Sequence, residues 1–154
     1  MADLRGERIY YVPSPGNGGD GLIAEATYQL FDRLELDCQI WRGDEYDIEK
    51  SVIIYAGGGI LVPFYTDASN FFARHHARAK RLVLLPHTVD GHEELLGQLG
   101  PNVDIFCREH RSYEHVTRFA PGASVYMGED MAPSLDLKKL LGDSPMPPHE
   151  PLEN

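Results

Sequence analysis

Cysteine is nearly missing from this sequence. Cys38 and Cys107 are the only two, each inside an apolar run. Two such thiols suit a reducing compartment and argue against the disulfide framework of small secreted domains. Positive charge is also scarce, with 14 basic residues against 24 acidic ones and a formal net charge of −10. Phosphate-backbone binding draws on clustered Lys and Arg, so no nucleic-acid partner is expected. Long hydrophobic runs are lacking too. Nothing approaches the ~18 apolar residues of a membrane span, which predicts no transmembrane segment. The N-terminal MADLRGERIYY has charges where a secretory signal would have an apolar stretch. These absences together predict a cytoplasmic protein.

Several reactive signatures are missing as well: there is no G-x-S-x-G, no G-x-x-x-x-G-K-[ST], and no Cys–His pairing in a recognisable context. His87, Asp90 and His92 cluster on one stretch, but their spacing matches no common zinc site, so no metal is expected. His75 falls on an apolar helical stripe and is expected to pack in the core. The one basic cluster, Arg74, Arg78, Lys80 and Arg81, reads as a solvated helix end.

What is present is alternation. Apolar runs at 9–13, 38–41, 51–59, 81–86, 103–107 and 124–127 predict strands, and periodic stretches at 21–35, 66–79, 92–99, 109–119 and 132–141 predict helices. The contiguous β-branched residues of SVIIYAGGG and RLVLLP suit strands covered on both faces. The pattern predicts an α/β fold, a Rossmann-like three-layer sandwich with a mainly parallel sheet. One domain is expected over residues 1–142, followed by a Pro-rich disordered tail or linker at 143–154. In such sheets the loops after the strands gather along one edge, where ligands bind.

Suggestive residues fall at those strand ends. GNGGDGLI, residues 16 to 23, satisfies the dinucleotide spacing G-x-G-x-x-G through Gly16, Gly18 and Gly21. Asp20, however, stands where a pyrophosphate needs positive potential. It suits a helix N-cap, whose carboxylate would fill the same anion site. The ribose-binding acid expected about twenty residues on has only Asp44 and Glu45 as candidates. A capped, glycine-rich turn beside a polar substrate is the preferred reading, with a nucleotide- or NAD-binding oxidoreductase domain as an alternative. Gly57, Gly58 and Gly59 would let a ligand or a loop approach the backbone closely. His87 with Thr88, Arg108 with Glu109, and Glu129 with Asp130 follow later strands.

The ordered set NGGDGLI, AGGGIL, LLPHT, CREHRSYEHV and EDMAPSL resembles the polysaccharide pyruvyl transferase family over residues 9 to 137. The resemblance implies one half of a GT-B-like fold, two Rossmann-like halves facing a cleft. It also implies transfer of a pyruvyl ketal from phosphoenolpyruvate to a sugar of a surface polysaccharide precursor, with release of phosphate. No cofactor or metal is implied beyond phosphoenolpyruvate as donor substrate. Asp20, His87 and Glu109 become acid–base candidates. Asn17, Gly18, Gly57, Gly58, Gly59, Thr88, Arg108, Ser112 and Asp130 become substrate contacts. The family usually has glutamine where His87 stands. This chain corresponds to the N-terminal, acceptor-side half, so a saccharide acceptor, phosphoenolpyruvate and a second domain or chain are the implied partners. An exposed apolar face is expected to drive self-association into a homo-oligomer. The other alternative is a non-catalytic sugar- or partner-binding module of the same fold.

Overall fold

The computed structural model describes residues 4–43 and 47–142; Asp44, Glu45 and the predicted tail at 143–154 lie outside the described residues. Seven strands build one sheet: β1 (Ile9–Val12), β2 (Cys38–Ile40), β3 (Val52–Tyr55), β4 (Gly58–Leu61), β5 (Arg81–Val89), β6 (Val103–Cys107) and β7 (Ser124–Met127). Their order is β2-β1-β3-β5-β6-β7, with β4 beside β5, and every pairing is parallel. Among the described residues, five α-helices connect or follow them: α1 (Gly18–Leu34), α2 (Asp67–His75), α3 (Glu93–Gln98), α4 (His110–Phe119) and α5 (Leu137–Leu141).

Alternate strand residues feed two cores. Ile9, Tyr11, Val52, Ile54, Val83 and Leu85 pack with Phe31 of α1 on one face. Ile53, Tyr55, Leu82 and Leu84 pack with Phe72 of α2, Leu96 of α3 and Val116 of α4 on the other. Because both faces are covered, both parities of each central strand are apolar, which is why these strands read as unbroken apolar runs. The fold is a Rossmann-like three-layer sandwich. His75 is buried with its ring against Trp41 and Phe71, the core position expected of it.

Several boundaries move from their expected places. The run 51–59 is two strands. β3 pairs with the first half of β5 as far as Tyr55 opposite Leu84, and β4 pairs with the second half from Gly58 opposite His87. β5 therefore continues through Pro86, and His87 and Thr88 lie inside a strand instead of in a loop. Pro86 has no N–H to offer a ladder, and it sits where the neighbouring strand changes. The last helix is also divided. A 3-10 turn covers Ala132–Ser134, and α5 starts afresh behind Asp136, whose carboxylate caps Lys138 and Lys139 N–H. The basic cluster is only partly solvated. Lys80 pairs with Glu7 at 2.7 Å, and Arg81 binds the nearly buried Asp104 at 2.6 Å.

The crossing from β3 to β4 is tight. A Cβ on Gly57 would lie 2.8 Å from the Pro86 carbonyl oxygen, a backbone atom that cannot swing aside. Gly57→Ala is therefore expected to cost about 2 kcal/mol as overpacking, read as a lowered urea midpoint at unchanged slope. Gly18→Ala, where a Cβ meets nothing within 4 Å, should not lower that midpoint.

Candidate functional site

The sheet order reverses at β1, since β2 lies to one side of it and β3 to the other. Ligands of doubly wound sheets bind beside the carboxyl ends of the strands at such a switch point. The segment leaving β1 and the glycines leaving β3 meet there.

α1 begins three residues earlier than its apolar periodicity predicts, and Asn17, not Asp20, is its N-cap. Asn17 Oδ1 accepts the Gly19 N–H at 2.8 Å, and Asp20 Oδ2 accepts the Asn17 N–H at 2.9 Å. This is a reciprocal capping box. It corrects the expected role of Asp20 as cap and leaves its other oxygen available. Asp20 Oδ1 lies beside Gly58, 3.4 Å from where a Cβ there would stand. It accepts from no protein donor among the described residues. The carboxylate also brings negative charge to the helix N-terminus that a pyrophosphate would need.

Gly58 has φ +143°, a conformation that L side chains rarely adopt. His87 holds this segment in place. Its Nε2 accepts the N–H groups of Ile60 and Leu61 at 3.0 and 3.1 Å, and its Nδ1 donates to the Ala56 carbonyl at 3.2 Å. Two donors on Nε2 fix the neutral tautomer with its proton on Nδ1. The ring is fully buried, and burial pushes its pKa down to about 4 against the weaker pull of the Ala56 hydrogen bond. His87 therefore departs from its expected acid–base role. It has no free nitrogen and no path to a substrate, and it acts as a clamp across the β3–β4 crossing.

Arg108, at the end of β6, is the cation of the site. Its Nε donates to Thr88 Oγ1 at 2.8 Å, and its Nη1 to Asp130 Oδ2 at 2.7 Å. Glu109 lies 3.6 Å from Nε through Oε2, which also accepts from Thr88, while its Oε1 is bonded by Ser112. Ser112 is buried; its Oγ accepts the Val89 N–H, and its one proton is shared between Glu109 Oε1 and the Val89 carbonyl. The remaining nitrogen, Nη2, lies 3.1 Å from the position of a Cβ on Gly59. A side chain larger than glycine at 59 would push it away.

A cavity of about 290 Å³ opens among these groups, lined by Asn17, Gly19, Asp20, Gly59 and Arg108 together with Ile23, Ile60 and Tyr65. The expected contacts thus sort into two layers. Asn17, Asp20, Gly59 and Arg108 line the cavity. Thr88, Glu109, Ser112 and Asp130 do not; they orient Arg108 or fasten α4 to β5. Of the acid–base candidates, Glu109 has both carboxylate oxygens hydrogen-bonded within this support, by Thr88 and Ser112. Gly18, Gly57 and Gly58 shape the backbone around the cavity without lining it. Sequence reasoning missed Gly19, Ile23, Ile60 and Tyr65. For Ile23 a signal existed, because a residue three after Asp20 shares its helix face.

Neither cysteine belongs to the site, and burial pushes both thiols up to about 12, so neither is a thiolate at neutral pH. Among the described residues no group of three or more His, Cys, Asp and Glu side chains could hold a metal, and no helix is long and apolar enough to cross a membrane.

Compared with family models and with curated proteins, the sequence finds no match. Among solved structures, a functionally uncharacterized protein from Klebsiella pneumoniae subsp. pneumoniae NTUH-K2044 has a TM-score of 0.80 at 31% identity. The match covers 90% of this chain and 55% of that one, so the chain spans about half the length of that relative.

Proposed function

We propose that this domain is the acceptor-side half of a pyruvyl transferase, holding a sugar hydroxyl for attack on a pyruvyl group donated by phosphoenolpyruvate. One observation carries the reading. The cavity at the switch point offers an uncommitted carboxylate oxygen, Asp20 Oδ1, and a cation whose charge is already balanced by Asp130. A phosphoenolpyruvate phosphate and carboxylate call for surplus positive charge, and Arg108 is the only cation in the lining. A neutral polyol calls for acceptors and a few donors, which Asp20, Asn17 and Arg108 Nη2 supply. The motif order quoted above supports assignment to pyruvyl transfer in particular.

In this reading Asp20 accepts the proton of the attacking hydroxyl. Arg108 Nη2 orients that oxygen or its neighbour. The two sugar hydroxyls give up two protons as their oxygens bond to the carbon that bears the phosphate. One proton ends on the donor's CH2 carbon, which becomes the ketal methyl. The other, relayed through Asp20, leaves with the phosphate as its C–O bond breaks. The donor's phosphate would be held by groups beyond this chain, in keeping with its coverage of about half of the solved relative.

The competing dinucleotide reading meets the Asp20 carboxylate at the helix N-terminus. A thermal-shift panel separates the two. Methyl pyranosides should raise the melting temperature while NADH and phosphoenolpyruvate alone leave it unchanged. Stabilisation by NADH without any response to glycosides overturns the proposal.

A further inference from the structure

The cavity joins two chemistries. Ile23, Ile60 and Tyr65 contribute apolar surface beside the polar Asn17, Asp20 and Arg108. Tyr65 is about half exposed, and Phe64 next to it is 88% exposed. Their rings meet edge to face with centroids 5.5 Å apart. Tyr65 thus lines the cavity with an aromatic ring that is itself in contact with a second, solvent-exposed ring. The segment is held in position: the Tyr65 N–H donates to the Val62 carbonyl at 3.0 Å, and Thr66 follows as the N-cap position of α2. A flexible polyol chain would gain little from such a ring. A pyranose would gain more, because its ring carries C–H groups that form an apolar face while its hydroxyls point outward.

We propose that Tyr65, braced by Phe64, is the residue that selects a cyclic sugar, stacking on the C–H face of a pyranose whose hydroxyls reach Asp20 and Arg108. This inference rests on the acceptor-site reading above and adds a specificity determinant to it. Charge complementarity points to the same ligand. With Asp130 already balancing Arg108, the lining carries an acidic excess from Asp20, which favours a neutral ring over a phosphorylated or carboxylated one. The apolar side chains then supply contact that does not depend on charge.

The test is a proton NMR titration of methyl β-D-glucopyranoside and methyl β-D-galactopyranoside into the intact chain, with sorbitol as the open-chain control. A stacked sugar places its axial protons in the shielding cone of the ring. Those resonances are expected to move upfield on binding, and sorbitol to bind at least about fivefold more weakly. Tyr65→Phe keeps both effects. Tyr65→Ala removes the upfield shifts and the preference for the ring, while circular dichroism shows the fold intact, as expected for an exposed position. If the glycosides bind without upfield shifts and equally well to Tyr65→Ala, while Asp20→Asn weakens binding, the stacking role is wrong and the acceptor site stands. If neither glycoside binds the wild-type chain, both fall together. Concentration-dependent diffusion that Phe64→Ser or Tyr65→Ala abolishes would assign these rings to a protein contact and overturn the proposal.

Discussion

Replacing His87 with alanine is expected to remove about 4 kcal/mol of stability, more than any other single change at the site. The imidazole satisfies three backbone groups at once, the half-buried N–H of Ile60 and the buried N–H of Leu61 and carbonyl of Ala56. Each group left without a partner costs about 1–3 kcal/mol, and the emptied ring volume adds a cavity term. Typical domains hold only about 5–15 kcal/mol in total. His87→Gln should recover most of the loss, because one amide offers an acceptor oxygen for the two N–H groups and a donor for Ala56. The same residue sets a pH dependence. Its folded pKa, about 4, lies below the ordinary value of 6.5. The unfolded chain therefore binds the proton first as pH falls, and His87's contribution is complete only above about pH 6.5. It is lost between there and about pH 4, a change of about 3 kcal/mol. His87→Gln should flatten that segment of the stability curve. Urea unfolding of the three proteins between pH 4 and 7 checks both statements, and identical pH profiles for wild type and His87→Gln would refute the clamp.

The second large effect concerns ligand binding with the fold preserved. Asp20→Asn is isosteric, and its amide oxygen can still accept the Asn17 N–H, so α1 should keep its start and the stability should change by less than about 1 kcal/mol. The charge at Oδ1 is lost, however, and a hydrogen bond to a charged acceptor is worth about 2 kcal/mol. Affinity for a pyranoside should fall roughly thirtyfold, measured by titration calorimetry. Under the proposed transfer, a longer protein carrying a donor half should lose ketal formation further in this variant, because the proposed proton acceptor is gone. Full activity in that variant would assign Asp20 to the capping box alone.

The sheet was legible because burial on both faces leaves central strands apolar at every position, as in Val52–Tyr55 and Leu82–Leu85. The errors occur where a local signal is outweighed by a neighbour. Pro86 reads as a strand end, yet it lies between Leu84 and His87, where β5 exchanges β3 for β4 as its partner and shifts register against β6. Gly16 to Asp20 read as a loop, but the Asn17–Asp20 exchange makes helix of Gly18, Gly19 and Asp20. SVIIYAGGG reads as one strand because nothing local marks the step from β3 to β4, which depends on His87, twenty-six residues beyond Leu61. For the site, the residues that line it polar-side first, Asn17, Asp20 and Arg108, were visible at strand ends. Their division into cavity lining and support was not, because that depends on which oxygen of each carboxylate is already engaged. Tyr65 escaped for the opposite reason: an aromatic in the loop segment VPFYTD looks like any surface residue until the cavity beside it is seen.

The acceptor-site claim is tested most directly by mapping backbone amide shifts of the isotope-labelled chain during titration with methyl β-D-galactopyranoside. The account predicts saturable changes concentrated at Asn17, Gly19, Asp20, Gly59, Ile60, Tyr65 and Arg108, with the same changes in Asp20→Asn reached only at roughly thirtyfold higher concentration. Changes at these amides on adding NADH, with none on adding the glycoside, would contradict it.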